Sequence, residues 1–588
     1  MSMVPKDPDP SDGNAPEPAE RRGGFSRRTL LTSAAGAVLA AAAGAVTSKA
    51  QVTGVTPGGG AIPMRLPEGA LNFLDRKQYI NNMEVISFTP GVTVSVGEPL
   101  MSMFARGKQR LLPGGGGWLD ISDPKKPVQI GGRPARGAAP DATGRGGRGR
   151  AGGGGGGGEE GGGGTPRFGG CIVYNTRLKK WLAMSSAGQP ITTSSPANPG
   201  GQYNEEVAAR SKAYAGLRGI RTWDITDPTK PALLDEFSTG PTGWGTHMNF
   251  YDGGKYAYLA AGWDDQFFFE NTQRTAGSGM MVVDLTDPAH VKEVSRFWIK
   301  GQRKGEEADY KKYWFAGDHA AWNGTHAAPT VPKRIEDGGR YGYGGHGAYG
   351  FVVYDFADIT KPKAASQYLY DQETPGGVPY HTVLPLIADA AHPKLRNLVI
   401  GVSETIQADC REPVRFPRIL DISDPTDPRI IGFFPRPKAP TDAPYADFCL
   451  SRGRFGTHNC QDWIAPGTAR PELFTCAWDV AGCRVHDISD PTRPKEVAWF
   501  VPARDGNIEE YSTWWRGTSE GAFVEWDRNL IWLATHAGTY CLSTPALGKP
   551  VLEPRKVDHW TLPFANAGWD DATPVAFYFG RGLIQTLG

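Results

Sequence analysis

The sequence predicts an all-β fold, a β-propeller, with seven blades as the best count and six or eight as the alternatives. Three observations carry this. One phrase recurs along the chain: "WLDISDPKKP" from Trp118, "TWDITDPTKP" from Thr222, "VVDLTDPAHV" from Val282, "VYDFADITKP" from Val353, "ILDISDPTDP" from Ile419 and "VHDISDPTRP" from Val485. A degenerate seventh copy, "YCLSTPALGKP", starts at Tyr540. The copies are spaced like propeller blades, and several strand signals separate each from the next. With 78 Gly and 48 Pro in 588 residues, the composition favours turns and short strands over helices.

The chemistry of the phrase explains its place in a blade. A β-branched or aromatic run forms a strand, Asp and Ser/Thr side chains bond nearby backbone N–H groups, and Pro fixes φ as the chain reverses. An apolar strand follows, such as "ALLDEF" or "RIIGFF", so each copy is expected to join the outer two strands of a four-stranded unit. The first Asp of each phrase falls at 120, 224, 284, 355, 421 and 487, with Cys541 in the matching position. The gaps run from 54 to 71 residues, except for 104 between the first two. That long gap contains a flexible Gly/Arg-rich insert at 132–165, whose removal brings it into line. The C-terminal "PVAFYFGRGLIQTLG" is a candidate for closing the ring against an N-terminal strand near Met83–Phe88.

The repeated phrase resembles that of the LVIVD-repeat propeller family, in which "DISDPxxP" is the recurring element. The resemblance covers roughly Asn82 to the C-terminus and implies the propeller fold; it says little about activity. A more distant likeness is to selenium-binding protein, a methanethiol oxidase family with a "YDISDP"-type phrase and a propeller bearing metal-binding histidines. The cysteine motif of that family is not found here, so its substrate is not carried over.

The chain divides into a leader at 1–50, an extension at 51–81 and one propeller domain at 82–588. In the leader, "SRRTLL" with Arg27 and Arg28 precedes an Ala/Gly/Leu run and a small-residue site ending at Ala50. It resembles a twin-arginine export signal, which implies passage through that export machinery to the periplasm or exterior, without a stable membrane anchor. An amphipathic helix or retained anchor is the alternative. The formal net charge of +1 provides no field to draw the protein to nucleic acid. The Arg/Gly insert reads as a solvated loop rather than an RNA-binding segment. Seven cysteines, at 171, 410, 449, 460, 476, 483 and 541, allow some pairing in an oxidising compartment. Cys476 and Cys483 are placed to face one another across a hairpin.

The histidines fall at one point of the repeat. "GTH" occurs at Gly245–His247, Gly324–His326 and Gly456–His458, and His326 and His458 each precede their blade's Asp by 29 residues. "VPYHTVLPL" puts His381 at the corresponding point, and "GTSEGAFVE" puts Glu520 there. Innermost strands line a propeller's central channel, so these residues are expected to converge and to bind a transition metal through His247, His326, His381 and His458. The second strands end beside the first, at Asp264 and Asp265, His346, Glu404, Asp479 and His536. Of these, Glu404, Asp479, His346 and His536, together with Glu520, are the candidates for orienting ligands or moving protons. A ring of polar residues that bonds between blades, without metal, is the competing reading. His290, His392, His486 and His559 lie in turn or outer-strand contexts, and His319 is ambiguous. Trp244, Trp322, Trp463, Trp514 and Trp515 are candidates to wall a small apolar or aromatic substrate pocket.

The expectation from the sequence is an exported metalloenzyme, with iron or copper performing oxidation or oxygenation of a small molecule. Histidines on separate blades also resemble the arrangement of the carotenoid-cleavage oxygenases. Manganese or zinc would suit a redox-inactive alternative, a polysaccharide lyase, with Arg452 and Arg516 as candidate sugar contacts. A non-catalytic propeller binding a ligand or protein is the alternative of another class. No nucleophile elbow, P-loop or dinucleotide fingerprint stands out.

Overall fold

In a computed structural model of the chain, the strands sort into eight sheets: seven follow one another along the sequence as blades, and the eighth is Ala465–Pro466 paired with Trp560–Thr561. The structure describes residues 67–561, apart from 97–102, 115, 132–169, 176, 189–212, 268–276, 311–322, 369–377, 387, 406–407, 411–413, 461–464, 505–518 and 558–559. The leader, the Gly/Arg-rich insert and the C-terminal "PVAFYFGRGLIQTLG" lie outside these residues.

Blade one comprises Phe104–Arg106, Gln109–Gly114, Gly117–Asp120 and Val128–Ile130, in that order across the sheet. Blade two runs Gly170–Asn175, Lys180–Ala187, Gly219–Asp224 and Ala232–Ser238. Blade three follows with Gly245–Thr246, Tyr256–Gly262, Gly277–Asp284 and Lys292–Phe297. In blade four, Tyr341–Gly345, Phe351–Asp355 and Lys363–Tyr368 are joined on the inside by the segment at Thr330. Blade five is Val378–Pro385, Leu398–Glu404, Arg418–Asp421 and Arg429–Phe433. Blade six has Leu473–Trp478, Gly482–Asp487 and Lys495–Val501, with Cys460 pairing inside them and Tyr79–Asn81 outside. Blade seven is Ser519–Glu525, Leu530–Thr535 and Gly538–Ser543, and its outer strand is Glu84–Pro90. The fold is a seven-bladed β-propeller. The N-terminal strand closes the ring, as expected, but on Gly538–Ser543.

Middle strands are buried along their whole length, as in Leu398–Glu404, Leu473–Trp478 and Leu530–Thr535. Each blade is covered on both faces by its neighbours, so alternation is lost there and persists only in outer strands such as Glu84–Pro90. The repeated phrase behaves as its residues dictate. Asp120, Asp224, Asp284, Asp355, Asp421 and Asp487 each accept the N–H two residues on, at 2.7–3.0 Å. The second Asp does the same for the next turn, as Asp123 does for Lys125 at 2.9 Å and Asp424 for Thr426 at 2.9 Å. The turn also reaches the preceding blade. Ser87 donates to Pro124 O, Trp118 to Pro228 O, Thr222 to Pro288 O, Ser295 to Ile359 O and Ser366 to Pro425 O, all at 2.6–2.8 Å.

Blades seven and one are clamped by a buried ionic network. Arg110 donates to Glu525 at 2.9 Å and to both carboxylate oxygens of Asp527 at 2.8 and 2.6 Å. Arg528 donates to the other Glu525 oxygen at 2.6 Å and to Ile121 O and Ser122 O of blade one, and Trp532 adds a 2.8 Å bond to that oxygen. Arg110, Glu525 and Arg528 are all fully buried. Removing one partner strands buried charge. Glu525→Ala should therefore lower stability by roughly 3–5 kcal/mol, read as a fall in the urea midpoint; an unchanged midpoint would mean the clamp does not hold the closure.

Candidate metal site

The "GTH" element positions the ring histidines, and each of its residues has a separate task. The glycine permits close approach between segments. Gly245 and Gly324 adopt φ of +104° and +136°, conformations that side chains disfavour. A Cβ at Gly245 would strike Ala187 O, one at Gly324 Ser278 O, and one at Gly456 the Thr405 hydroxyl. The threonine then pins the strand. Thr246 donates to Gly219 O at 2.5 Å, and Thr457 to Ser403 O at 2.7 Å, each on the preceding blade. Thr325 receives support from blade three through its backbone, where Ser278 donates to Thr325 O at 2.5 Å. The histidine that follows is delivered to the inner end of its blade. Adjacent inner segments run parallel where Met248 bridges Ala327, which sets His247 beside His326.

Four blades bring their imidazoles together. His247 Nε2 lies 3.2 Å from His326 Nε2, with the rings perpendicular and their centroids 4.3 Å apart. The His326 and His381 centroids are 4.1 Å apart, and those of His381 and His458 are 5.2 Å apart. Glu404 sits among them. Its Oε2 is 3.4 Å from His326 Nε2 and 3.7 Å from His381 Nε2, and its Oε1 is 3.6 Å from His458 Nε2. Among the described residues, His326, His381 and Glu404 form a group whose donor atoms all lie within 4.8 Å of one another, and it could hold a metal ion. His381 Nε2 and Glu404 Oε2 are buried and make no hydrogen bond. An imidazole nitrogen and a carboxylate oxygen left so, facing one another in a buried site, fit a cation between them.

Each donor is held from behind. Arg454 donates to Glu404 Oε1 at 2.5 Å and to Thr405 O, leaving Oε2 for the imidazoles. The Thr382 hydroxyl bonds His381 Nδ1, which leaves Nε2 for the site. Glu520 pairs with His458 Nδ1 at 3.2 Å and, through its other oxygen, with His536. Glu520 thus occupies the repeat position of the histidines but acts toward the outer nitrogen of one of them, His458. Asp479, with φ of +33°, is fully buried, and neither carboxylate oxygen has a hydrogen bond.

Burial lowers His247 to about 4 and His381 to about 3, outweighing the attraction of Glu404, so both are neutral and ready to ligate at pH 7. Burial would also lower His458, but Glu404 and Glu520 lift it to about 9. Burial would raise Glu404, yet Arg454, His458 and His381 hold it at about 2. Asp479 is raised by burial to about 7, with Arg454 and His458 offsetting only part of the rise. The site at neutral pH therefore combines neutral imidazoles, an ionised carboxylate and a charged His458–Glu520 pair.

Several residues singled out from sequence stand elsewhere. Asp264 is taken by Arg303 at 2.9 and 2.8 Å, and Asp265 by Gln266. His346 is fully buried and bonded to Gln302 at 2.8 Å and to Thr325 and Tyr354 at 2.9 Å. It supports the strand that carries His326 and does not join the imidazole group. Trp244 is buried with its indole N–H on Gly277 O at 3.1 Å, and its ring centroid is 6.1 Å from that of His247. Trp322, Trp463, Trp514, Trp515, His319, His559 and Arg516 lie outside the described residues. Cys410 and Cys449 form a disulfide, while Cys476 and Cys483 are free. Cys476 lies opposite Arg484 and Cys483 opposite Ala477, so the two point to different faces of the hairpin and do not meet as expected. Sequence reasoning did not find Arg454, whose signal, an arginine before "FGTH", has no repeat counterpart.

No protein-family model matches the chain, and no curated protein does. Among solved structures, it is similar to the β-propeller domain of Cps50 (Swd1) from Myceliophteria thermophila, at 9% identity and TM-score 0.37, over 80% of this chain and 99% of that one. It is similar also to U3-55K, at 7% identity and TM-score 0.37, over 78% and 98%. At these values the likeness adds nothing to the strand pairing on which the fold rests.

Two outcomes follow from this geometry. Gly324→Ala should cost roughly 2–4 kcal/mol, because it forces a side chain into a disfavoured φ against a backbone carbonyl; a thermal melt of the variant reads the loss. Burial holds His346 near 3, below its ordinary value. Its contribution is therefore present above about pH 6.5 and is lost as pH falls toward 3. Wild type should lose about 2–3 kcal/mol between pH 6.5 and 4.5 from this group, and His346→Gln should lose correspondingly less.

Proposed function

We propose that this chain is an exported metalloprotein whose propeller carries a redox-active ion, iron or copper, and oxidises or oxygenates a small apolar or aromatic molecule. The observation that carries the reading is the buried donor group of His326, His381 and Glu404. Two imidazoles and one carboxylate with further positions open are the donor set of non-haem iron oxygenases. His247, 3.2 Å from His326, stands ready as a further donor on the rim of the group. His458 lies on the other side, paired with both carboxylates.

A bound ion would supply Lewis acidity and, for iron or copper, one-electron redox chemistry. The chain's own residues do the rest. Arg454 keeps one Glu404 oxygen occupied, so that carboxylate presents a single oxygen to the ion. Thr382 fixes the ring orientation of His381. The Glu520–His458 pair holds a proton beside the donor group, and the buried Asp479, near its midpoint at pH 7, can take up or release another. Burial of the donors keeps bulk water from competing for the ion. The periplasmic placement rests on the "SRRTLL" leader alone.

The test is elemental analysis of tag-free protein alongside variants. Wild type should carry close to one iron or copper per chain. His326→Ala, His381→Ala and Glu404→Gln should each lose more than about nine-tenths of it, since each removes one of three donors. Arg454→Lys should retain part of the metal with weakened affinity. A wild type that stays metal-free after anaerobic reconstitution with iron or copper would overturn the metalloenzyme reading and leave a ligand-binding propeller.

A further inference from the structure

Blade six carries three cysteines outside the disulfide, Cys460, Cys476 and Cys483, all buried. Cys460, on the innermost segment, is paired directly with Cys476 across an antiparallel bridge. Directly opposed residues of such a pair hold their Cα atoms about 4.5–5.5 Å apart, within the range a disulfide spans. Cys476 lies opposite Arg484 on its other side, so Cys460, Cys476 and Arg484 share one face while Cys483 points to the other. The Cys476 sulfur accepts a 3.0 Å hydrogen bond from the Trp478 indole N–H, and the Cys460 thiol and the His486 imidazole act on it electrostatically. Burial alone would push this thiol up, but these partners draw it below its ordinary value. Cys483, without such donors, is pushed up by burial. The blade thus holds one activated thiol with a second directly opposite it, the arrangement of a reacting and a resolving cysteine.

We propose that Cys460 and Cys476 are a dithiol that a peroxide closes to a disulfide within the native fold. The Cys476 thiol gives up its proton and its sulfur attacks one oxygen of hydrogen peroxide. The O–O bond breaks, Cys476 becomes the sulfenic acid, and the departing hydroxide takes a proton to leave as water. The Cys460 sulfur then attacks the Cys476 sulfur, the S–O bond breaks, and the Cys460 proton leaves with the hydroxyl as a second water. Two thiols are oxidised by two electrons and one peroxide is reduced to two waters. The new bond fastens the innermost segment of blade six, two residues after His458, to the strand beside it. This inference rests on the pairing in blade six and is independent of what the imidazole group binds.

The experiment treats native full-length protein, in the presence of a chelator, with a small excess of hydrogen peroxide. Free thiols are then blocked and the protein is digested without reduction. The expected result is a linked peptide joining Cys460 to Cys476, loss of two of the five free thiols, and a higher urea midpoint. Cys460→Ala should give no linked peptide, leaving a Cys476 sulfenic acid that a 1,3-diketone reagent traps. A wild-type protein that forms no Cys460–Cys476 link until it is unfolded, or that links Cys476 to Cys483 instead, would overturn the proposal.

Discussion

The structure depends on closing a ring of sheets which, among the described residues, no long helix covers. Each blade buries both faces only because another blade stands on each side, so an open ring would expose two apolar faces at once. Closure is made twice over. On the outside, Glu84–Pro90 pairs with Gly538–Ser543, so the first strand of the ring completes the last blade. Within the interface, Arg110 and Arg528 enclose Glu525 between blades one and seven. Buried charges of this kind add little over apolar packing when satisfied, but they tolerate no other partner, which suits a contact that must form once and in one register.

The candidate site follows from that closure. No single blade could gather the donors, because each contributes one imidazole and Glu404 comes from the second strand of the blade that carries His381. The register of neighbouring blades brings them within reach. Thr246 and Thr457 set that register through hydrogen bonds to the blade before, and the glycines ahead of them let the segments approach. The same residues that assemble the propeller thus aim its histidines. A change to the small residue of the element is a change to the site.

Electrostatics divide the imidazoles by task. Burial strips His247 and His381 of their protons, which makes them donors, while two carboxylates keep His458 charged. Identical residues at one repeat position therefore differ in chemistry because their neighbours differ. Arg454 and Glu520 are what distinguish them: Arg454 has no counterpart in the other repeats, and Glu520 puts a carboxylate where they carry an imidazole.

The sequence alone pointed to seven blades, leaving six or eight open, and determined the outer hairpins and the repeat position of the histidines. These are local matters: "DISDP" closes a turn through its own backbone, and a repeat of fixed length places equivalent residues at equivalent points. Convergence of His247, His326, His381 and His458 was legible for the same reason. The tertiary structure decided the rest. Glu404 was legible as a neighbour of the ring, but its place among the donors depends on the histidines that neighbouring blades bring to it and on Arg454 from the next blade. His346 carries the same side chain and falls to the core, since Gln302, Thr325 and Tyr354 close around it. The pairing of Cys460 with Cys476 in place of Cys476 with Cys483 turns on strand register. Such outcomes depend on which residue of a neighbouring strand stands opposite, and that is settled only when the ring has closed.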